Sequence, residues 1–379
     1  MKLETVLGII VGIVFIGGVV FYNTHKEPSV PPGSPEANLP PVVKGEKPLN
    51  KNDIPSKKEE IFLSAEQKAA EFNLAPEISS PDGFINTDGR SITLGEFRGK
   101  SVVLLDIWTY SCINCQRTIP YLNEWYKKYK DQGLVIIGLH TPEFSFEKVQ
   151  KNVEEAVKNF GIRYPVVLDN DFSTWNAYGN QYWPRKYLVD IDGYIVYDHA
   201  GEGEYAQTER RIQQALTERN ARFNIKTSTL QSIADPSGKI AVEANKVNSP
   251  EIYFGSARNN YLANGKRGIS GLQTLTIPTD TMANQLYLGG TWNFASEYAE
   301  PEGEGGTVVF KYNAQNVYMV ASSTEEAAVE IYLDGKLEDT VSVRDEKLYQ
   351  IIQGAGYGEH TIMLKLKNPG PRIFTFTFG

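Results

Sequence analysis

Hydrophobic and polar positions divide the chain into three regimes. The first is the uncharged run from Thr5 to Tyr22, about 27 Å long as a helix at ~1.5 Å per residue, the thickness of a bilayer's hydrocarbon core. Lys2 precedes it and a Pro-rich polar tract follows, which predicts a cytoplasmic amino terminus with everything after Tyr22 outside. The run ends in Val20-Phe21-Tyr22-Asn23-Thr24-His25, without a small-x-small cleavage pattern, so residues 1–25 read as an uncleaved anchor. Residues 26–60 carry Pro31-Pro32 and Pro40-Pro41 among Asn, Lys and Glu, too few large apolar groups to offset the entropy of ordering, and read as a disordered tether.

The second regime, residues 61–222, alternates strand-like and helix-like patterns. Ser64-Ala65-Glu66-Gln67 has the form of a capping box opening a short helix. Phe84-Ile85-Asn86 and Ser91-Ile92-Thr93-Leu94, joined through Asp88-Gly89, predict a hairpin. Val102 to Trp108 is apolar except at Asp106, the pattern of a strand buried on both faces. Thr118–Tyr129 and Ser145–Phe160 predict helices, Leu134–Leu139 another buried strand, Tyr187–Val189 with Tyr194–Tyr197 a second hairpin, and Tyr205–Arg219 a closing helix. Strands interleaved with helices imply an α/β fold with a central sheet.

After a connector over residues 223–248, the third regime runs from 249 to 379. Thr307–Tyr312, Val317–Ser322, Ala328–Leu333, Leu348–Ile352, His360–Leu366 and Arg372–Phe378 alternate apolar and polar, with turn signals at Asp334-Gly335 and Gly354-Ala-Gly-Tyr-Gly358. Regular short strands without helices predict an all-β sandwich of jelly-roll type.

Charge and cysteine content narrow the chemistry. The 379 residues carry 38 Lys plus Arg against 46 Asp plus Glu, a net charge of −8, which argues against nucleic-acid binding. The 2 cysteines exclude a disulfide-dense scaffold, an iron–sulfur cluster and a four-thiolate zinc site. Both lie in Cys112-Ile113-Asn114-Cys115, between a predicted strand and a helix. A sulfur at a helix amino terminus faces the positive end of the helix dipole and free backbone N–H groups, which favour the thiolate. Cys112 is then the exposed attacker, and Cys115, one turn on, resolves the mixed disulfide. Asp106, six positions before Cys112, is either a proton acceptor for the resolving thiol or a core acid satisfied by its neighbours. Pro184 follows Trp183 ahead of a strand, where a cis bond would present backbone groups to an extended substrate.

The stretch Asp106-Ile-Trp-Thr-Tyr-Ser-Cys112-Ile-Asn-Cys115-Gln-Arg-Thr-Ile-Pro120 resembles the thioredoxin superfamily, with its Asp six residues before the first Cys and its Pro five after the second. Trp108-Thr-Tyr-Ser-Cys-Ile-Asn-Cys, Leu139-His-Thr-Pro-Glu-Phe144, Tyr182-Trp183-Pro184-Arg-Lys-Tyr187 and Gly201-Glu-Gly-Glu-Tyr205 are similar to the soluble portion of DipZ-type proteins. That resemblance implies a thioredoxin-like domain followed by a carbohydrate-binding-module-like β-sandwich, with Glu251-Ile-Tyr-Phe-Gly255 as its opening strand. It implies disulfide exchange outside the cytoplasm, chiefly as reduction, with a cis Pro184, with Trp108, Ser111 and Trp183 lining the substrate groove, and with no cofactor beyond the Cys112–Cys115 couple. DipZ-type proteins resemble a fusion to a multi-helix membrane electron carrier, whereas this chain carries one candidate span. Electrons would then come from a separate membrane donor of the DsbD/CcdA type. Protein disulfides are the implied substrates, and cytochrome c maturation and repair of envelope disulfides would use the same local chemistry.

Other readings compete for the same residues. Thr109-Tyr-Ser-Cys112 matches the end of a peroxiredoxin site, but Leu105 stands where that site needs Pro. A zinc site would have to recruit His140 and His199, since two thiols leave two ligand positions open. In the third regime Tyr287, Trp292, Phe294 and Tyr298 surround Gly289-Gly290 and offer either flat faces to a sugar of a cell-envelope glycan or core packing. Glu297, Glu300, Glu302 and Glu304 read as a solvated acidic loop. Two functions therefore stand: a membrane-anchored thiol-disulfide oxidoreductase, or a cell-envelope binding or docking protein whose thioredoxin-like part is a redox-inert scaffold.

Overall fold

The computed structural model describes residues 62–303 and 305–379, all within one compact unit. The anchor expected over residues 1–25 and the tether over 26–60 lie outside the described residues. Among the described residues no helix is long and apolar enough to cross a membrane.

The α/β region opens with α1 (Ala65–Glu71), capped by the reciprocal Ser64–Gln67 box. Its Lys68 is buried, and its ammonium meets Asp190, Asp192 and Glu218. Three carboxylates within reach of one another would suit a cation, and that cation is the lysine. A six-stranded sheet follows, built from β1 (Gly83–Ile85), β2 (Val102–Trp108), β3 (Leu134–His140), β4 (Val166–Leu168), β5 (Arg185–Val189) and β6 (Ile195–Ala200), in the order β1-β4-β3-β2-β5-β6. β2, β3 and β4 run parallel, while β5 lies antiparallel to β2. Helices α2 (Ile113–Tyr129), α3 (Gln150–Asn159), α4 (Ser173–Ala177) and α5 (Tyr205–Arg222) complete the region. Alternate residues of β2 feed two cores: Leu104 and Trp108 pack with Cys115, Leu122 and Leu216, whereas Val103, Leu105 and Ile107 pack with Trp175 and Tyr187.

Three local expectations are corrected. Residues 84–86 and 91–94 do not form a hairpin, because β1 pairs antiparallel with β4. The Leu94 and Gly95 N–H groups are instead taken by the Glu77 carboxylate, and a 3-10 turn, Gly95–Phe97, follows. The helix expected from Thr118 begins at Ile113, and the one expected from Ser145 is a 3-10 turn, Ser145–Lys148, leading into α3.

The carboxy-terminal region is β-rich: β7 (Ile252–Tyr253), β8 (Gly271–Leu275), β9 (Leu286–Phe294), β10 (Ala299–Pro301), β11 (Gly306–Ser322), β12 (Ala327–Leu333), β13 (Lys336–Val343), β14 (Lys347–Leu366) and β15 (Arg372–Phe378). They form one connected pairing network rather than separable sheets, because β11 is shared: its first half pairs with β9 and its second with β15. The predicted turn at Gly354–Gly358 is part of β14. Its extra residues bulge opposite Gln315, where a side chain at Gly354 would collide with the Gln315 carbonyl.

The aromatic cluster offered as a sugar platform is packed inside. Trp292 is fully buried with Nε1–H donating to Gly289 O at 2.9 Å, Tyr287 is 4% exposed, and Phe294 belongs to the same core. Half-buried Tyr298 packs on Phe374 beneath the Arg372 guanidinium. The acidic loop is only partly solvated. Glu297 accepts the Ser145 N–H at 3.0 Å, Glu300 meets Arg372, and Glu304 lies outside the described residues.

Candidate functional site

β2 ends at Trp108 and the chain turns through Thr109, Tyr110 and Ser111 into α2, with Cys112 as the residue that caps the helix. Cys112 Sγ accepts the Cys115 N–H at 3.3 Å, and both cysteines are free thiols. Cys112 is half-exposed, whereas Cys115 is 1% exposed and packs beneath it in the core. Burial pushes the Cys115 thiol well above its ordinary value, and the neighbouring Cys112 and Asp106 add to that shift. The inner sulfur therefore needs a proton acceptor, while the outer one meets solvent at a helix terminus.

Asp106 supplies a carboxylate on the same side of the sheet. It is 1% exposed, its Oδ1 has no hydrogen-bond partner, and burial raises it to about 7 against the pull of Lys186. Such a carboxyl exchanges protons near neutrality.

Two expected groove residues lie elsewhere. Trp108 is 1% exposed and is wedged edge-on against His140, so it is core. Ser111 is equally buried, with its hydroxyl donating to Glu147 Oε1 at 2.7 Å and its N–H to the same oxygen at 3.1 Å. Glu147 also accepts the Glu143 and Phe144 N–H groups, so one buried carboxylate fixes the residue before Cys112 and folds the loop after β3. Burial raises Glu147 from its ordinary value and lowers His140 to about 3, which leaves the His140 imidazole neutral, stacked on Tyr110. His199 pairs in register with Lys186 on the sheet's edge strand. Trp183 is half-exposed, rests on Trp175 at 4.3 Å and donates to Thr141 O at 2.9 Å. The Trp183–Pro184 bond is cis, and Pro184 O accepts the Gly201 N–H at 2.7 Å.

The β-rich region packs against the loop that Glu147 folds. Phe144 and Phe146 sit edge-on to Phe374, Tyr110 donates to Glu346 O at 3.0 Å, and Arg258 meets Glu143 at 2.7 Å while lying over the Tyr253 ring. Tyr253 Oη lies within hydrogen-bond distance of both acids, 2.8 Å from Glu143 Oε1 and 2.7 Å from Glu251 Oε2. Burial and the Glu143 charge push Glu251 up to about 8, so the two carboxylates share their site with a proton and the Arg258 charge. Sequence reasoning did not single out Glu147, Lys186, Arg117, Glu202 or this cluster. A lysine in an apolar strand was the one available signal, parallel to Asp106.

A central sheet carrying a Cys-x-x-Cys pair at the amino end of α2, over a buried Asp, defines a thioredoxin-like protein. Comparison with known proteins gives the same class: residues 67–216 match the Redoxin family, and residues 249–379 match the thioredoxin-like C-terminal domain family. Protein DipZ of Mycobacterium bovis is 35% identical over 306 residues, which cover 80% of this chain and 43% of DipZ, so the chain spans less than half the length of that relative. ResA of Bacillus cereus, a thiol-disulfide oxidoreductase, is 32% identical over 157 residues, covering 41% of this chain and 82% of ResA. A crystal structure of a thiol-disulfide isomerase from Corynebacterium glutamicum aligns with a TM-score of 0.35 at 20% identity, covering 38% of this chain and 97% of that one. The chain belongs to the thioredoxin-like thiol-disulfide oxidoreductase family.

Proposed function

We propose that the protein is a membrane-anchored, extracytoplasmic thiol-disulfide oxidoreductase that reduces protein disulfides through Cys112 and Cys115. The observation that carries this reading is the asymmetry of the pair, a half-exposed sulfur capping α2 and a buried one beneath it next to Asp106. Cys112 thiolate attacks a substrate disulfide, forms a mixed disulfide and expels the first substrate thiolate. Cys115 then gives its proton to Asp106 and attacks Cys112 Sγ. The second substrate thiolate leaves, and two electrons have passed to the substrate while the pair has become a disulfide. A separate membrane donor of the DsbD/CcdA type would return the electrons, and cytochrome c maturation is one process that would draw on them. The β-rich region would serve chiefly to dock and support the exchange loop. With Tyr287 and Trp292 inside, a glycan would have to bind elsewhere on it.

The test is glutathione-coupled reduction of insulin by the full-length protein, wild type against Cys112→Ser. Loss of turnover in the variant is the expected result. Equal rates would leave the thioredoxin-like region as a redox-inert scaffold. Trapping with Cys115→Ser would then identify the substrates held on Cys112.

A further inference from the structure

A half-exposed Cys112 can meet a disulfide, yet attack on a protein substrate also needs the chain around that disulfide held still. A cleft of about 530 Å³ opens next to the cysteine turn, at the seam between the two regions. One wall belongs to α2 and α3, through Gln116, Asn152, Glu155 and Asn159. The other belongs to the β-rich region, through residues 322–324, residues 344–348 and Arg372. Tyr110 joins the two: its hydroxyl donates to Glu346 O at 3.0 Å, and its carbonyl accepts the Gln116 side-chain amide at 2.8 Å. Gln116 stands one helical turn after Cys112, with its N–H on Cys112 O at 3.0 Å, so the cleft begins beside the reactive residue.

The β-rich wall is held in shape by its own hydrogen bonds. The Tyr349 hydroxyl accepts the Arg344 N–H at 3.1 Å and donates to Asp345 O at 2.8 Å, while Arg344 O accepts the Ser323 N–H at 2.9 Å. Across the seam, Asn152 Nδ2 donates to Glu346 Oε2 at 2.9 Å. A preformed cleft lined by amides, hydroxyls and charges suits an extended chain of peptide groups, each bringing one donor and one acceptor. It offers no open ring on which a sugar could stack. Tyr110 is 4% exposed with His140 stacked on it, and Phe160 sits edge-on to Trp108.

Charge narrows the class of peptide. Lys347 meets Asp345, Arg372 meets Glu300, Glu155 meets Lys151, and Glu346 holds Asn152. Among the described residues, Arg344 alone of the cleft's charged side chains has no polar partner. A guanidinium left open is a fork shaped for a carboxylate. Resting on the exchange reading, we propose that this cleft holds the extended polypeptide segment flanking the disulfide of a substrate protein, and that Arg344 selects segments carrying an acidic side chain. The β-rich region then does more than brace the cysteine turn, since it supplies one wall of the substrate site.

The test mixes pre-reduced full-length protein with synthetic peptides that carry one disulfide loop, flanked on either side in turn by a segment with a single Glu, Gln or Lys. Each transfer oxidises Cys112 and Cys115 to a disulfide and reduces the peptide disulfide to two thiols, counted in acid-quenched, alkylated samples. The Glu peptides of one flank should react about three- to fivefold faster than their Gln counterparts, and added salt should shrink that preference. The net charge of −8 repels acidic peptides overall, so such a preference has to come from a local cation. Arg344→Gln should level the Glu and Gln rates, and Arg344→Glu should turn the preference toward Lys. Arg344 is exposed, so both variants keep the fold, and rate ratios within one variant cancel any general change in thiol reactivity. Absence of a Glu preference in the wild type overturns the proposal, as does a preference that persists in Arg344→Glu. N-acetylchitotetraose slowing every peptide alike, with none preferred, would also overturn it and make the cleft a sugar site. If the wild type reduces no peptide faster than Cys112→Ser does, the exchange reading itself fails.

Discussion

The two regions bury different chemistry. Among the described residues, the α/β region encloses Lys68, Asp106, Arg117, Glu147, Asp169, Lys186, Asp190, Glu209 and Glu218, whereas the β-rich region, apart from Glu251 and Arg258 where it meets Glu143, buries uncharged polar residues: Ser249, Ser256, Asn259, Ser322, Ser323 and Thr375. Lys68 with its three carboxylates and Glu209 with Trp125, Lys128 and Tyr129 are satisfied on all sides and hold elements together. Asp106 is not satisfied, and it sits under a thiol that must lose a proton. These two clusters saturate their polar atoms, whereas the carboxylate under the reacting thiol leaves an acceptor open.

The largest effect that would sharpen this contrast comes from the apolar side. Trp292→Ala should cost about 3–5 kcal/mol by opening a cavity in the β core, read by denaturant unfolding, while exchange per folded molecule stays within about twofold. A tenfold fall in exchange would mean that the β core shapes the site directly.

Asp106→Asn should do the reverse. Because Asp106 is raised to about 7, the folded protein keeps its proton between pH 4 and 7 while the unfolded chain gives its proton up, so stability falls as pH rises through that window. The amide removes this loss and should gain about 2–4 kcal/mol at neutral pH by linkage, while resolution of the Cys112 mixed disulfide slows at least about tenfold. A variant that is neither more stable nor slower would make Asp106 an ordinary core residue.

The interface between the regions gives a smaller, pH-dependent signal. Glu251, held near 8, keeps its proton in the folded state from about pH 4.5 upward, so its contribution is complete at low pH and is lost as pH rises toward 8. Glu251→Gln mimics the protonated form. It should match wild type in denaturant midpoint at pH 5 and exceed it at pH 8; parallel curves would place the shared proton elsewhere. Smallest is Ser64→Ala, which removes the α1 capping box and should cost about 1 kcal/mol with no change in exchange.

Features set by short-range physics were legible in the sequence: the apolar run of β2 broken by Asp106, the cysteines at a helix start, the Ser64 cap and the β5–β6 hairpin. Pairings that depend on distant partners were not. β1 and β4 are three residues each and find one another across more than eighty positions, so neither carries a periodic signal. In the β-rich region apolar side chains alternate with half-buried ones, and a tryptophan there reads equally as platform or core until strands cover it. Lys186 stood out in the sequence only as a charge at the head of an apolar strand, and its place opposite Asp106 depends on a pairing that the sequence does not show.

The Glu147-folded loop ties the two regions into one working part. Its Phe144 and Phe146 rest on Phe374, and its Glu143 is neutralised from the far side by Arg258. Cutting the chain in the connector to obtain a minimal redox fragment would strip that loop of its cover, leave an acid without its counter-ion, and slacken the grip on Ser111, one residue from the reactive sulfur. The carboxy-terminal half thus acts as a splint for the cysteine turn, and engineering it for other purposes means preserving that splint first.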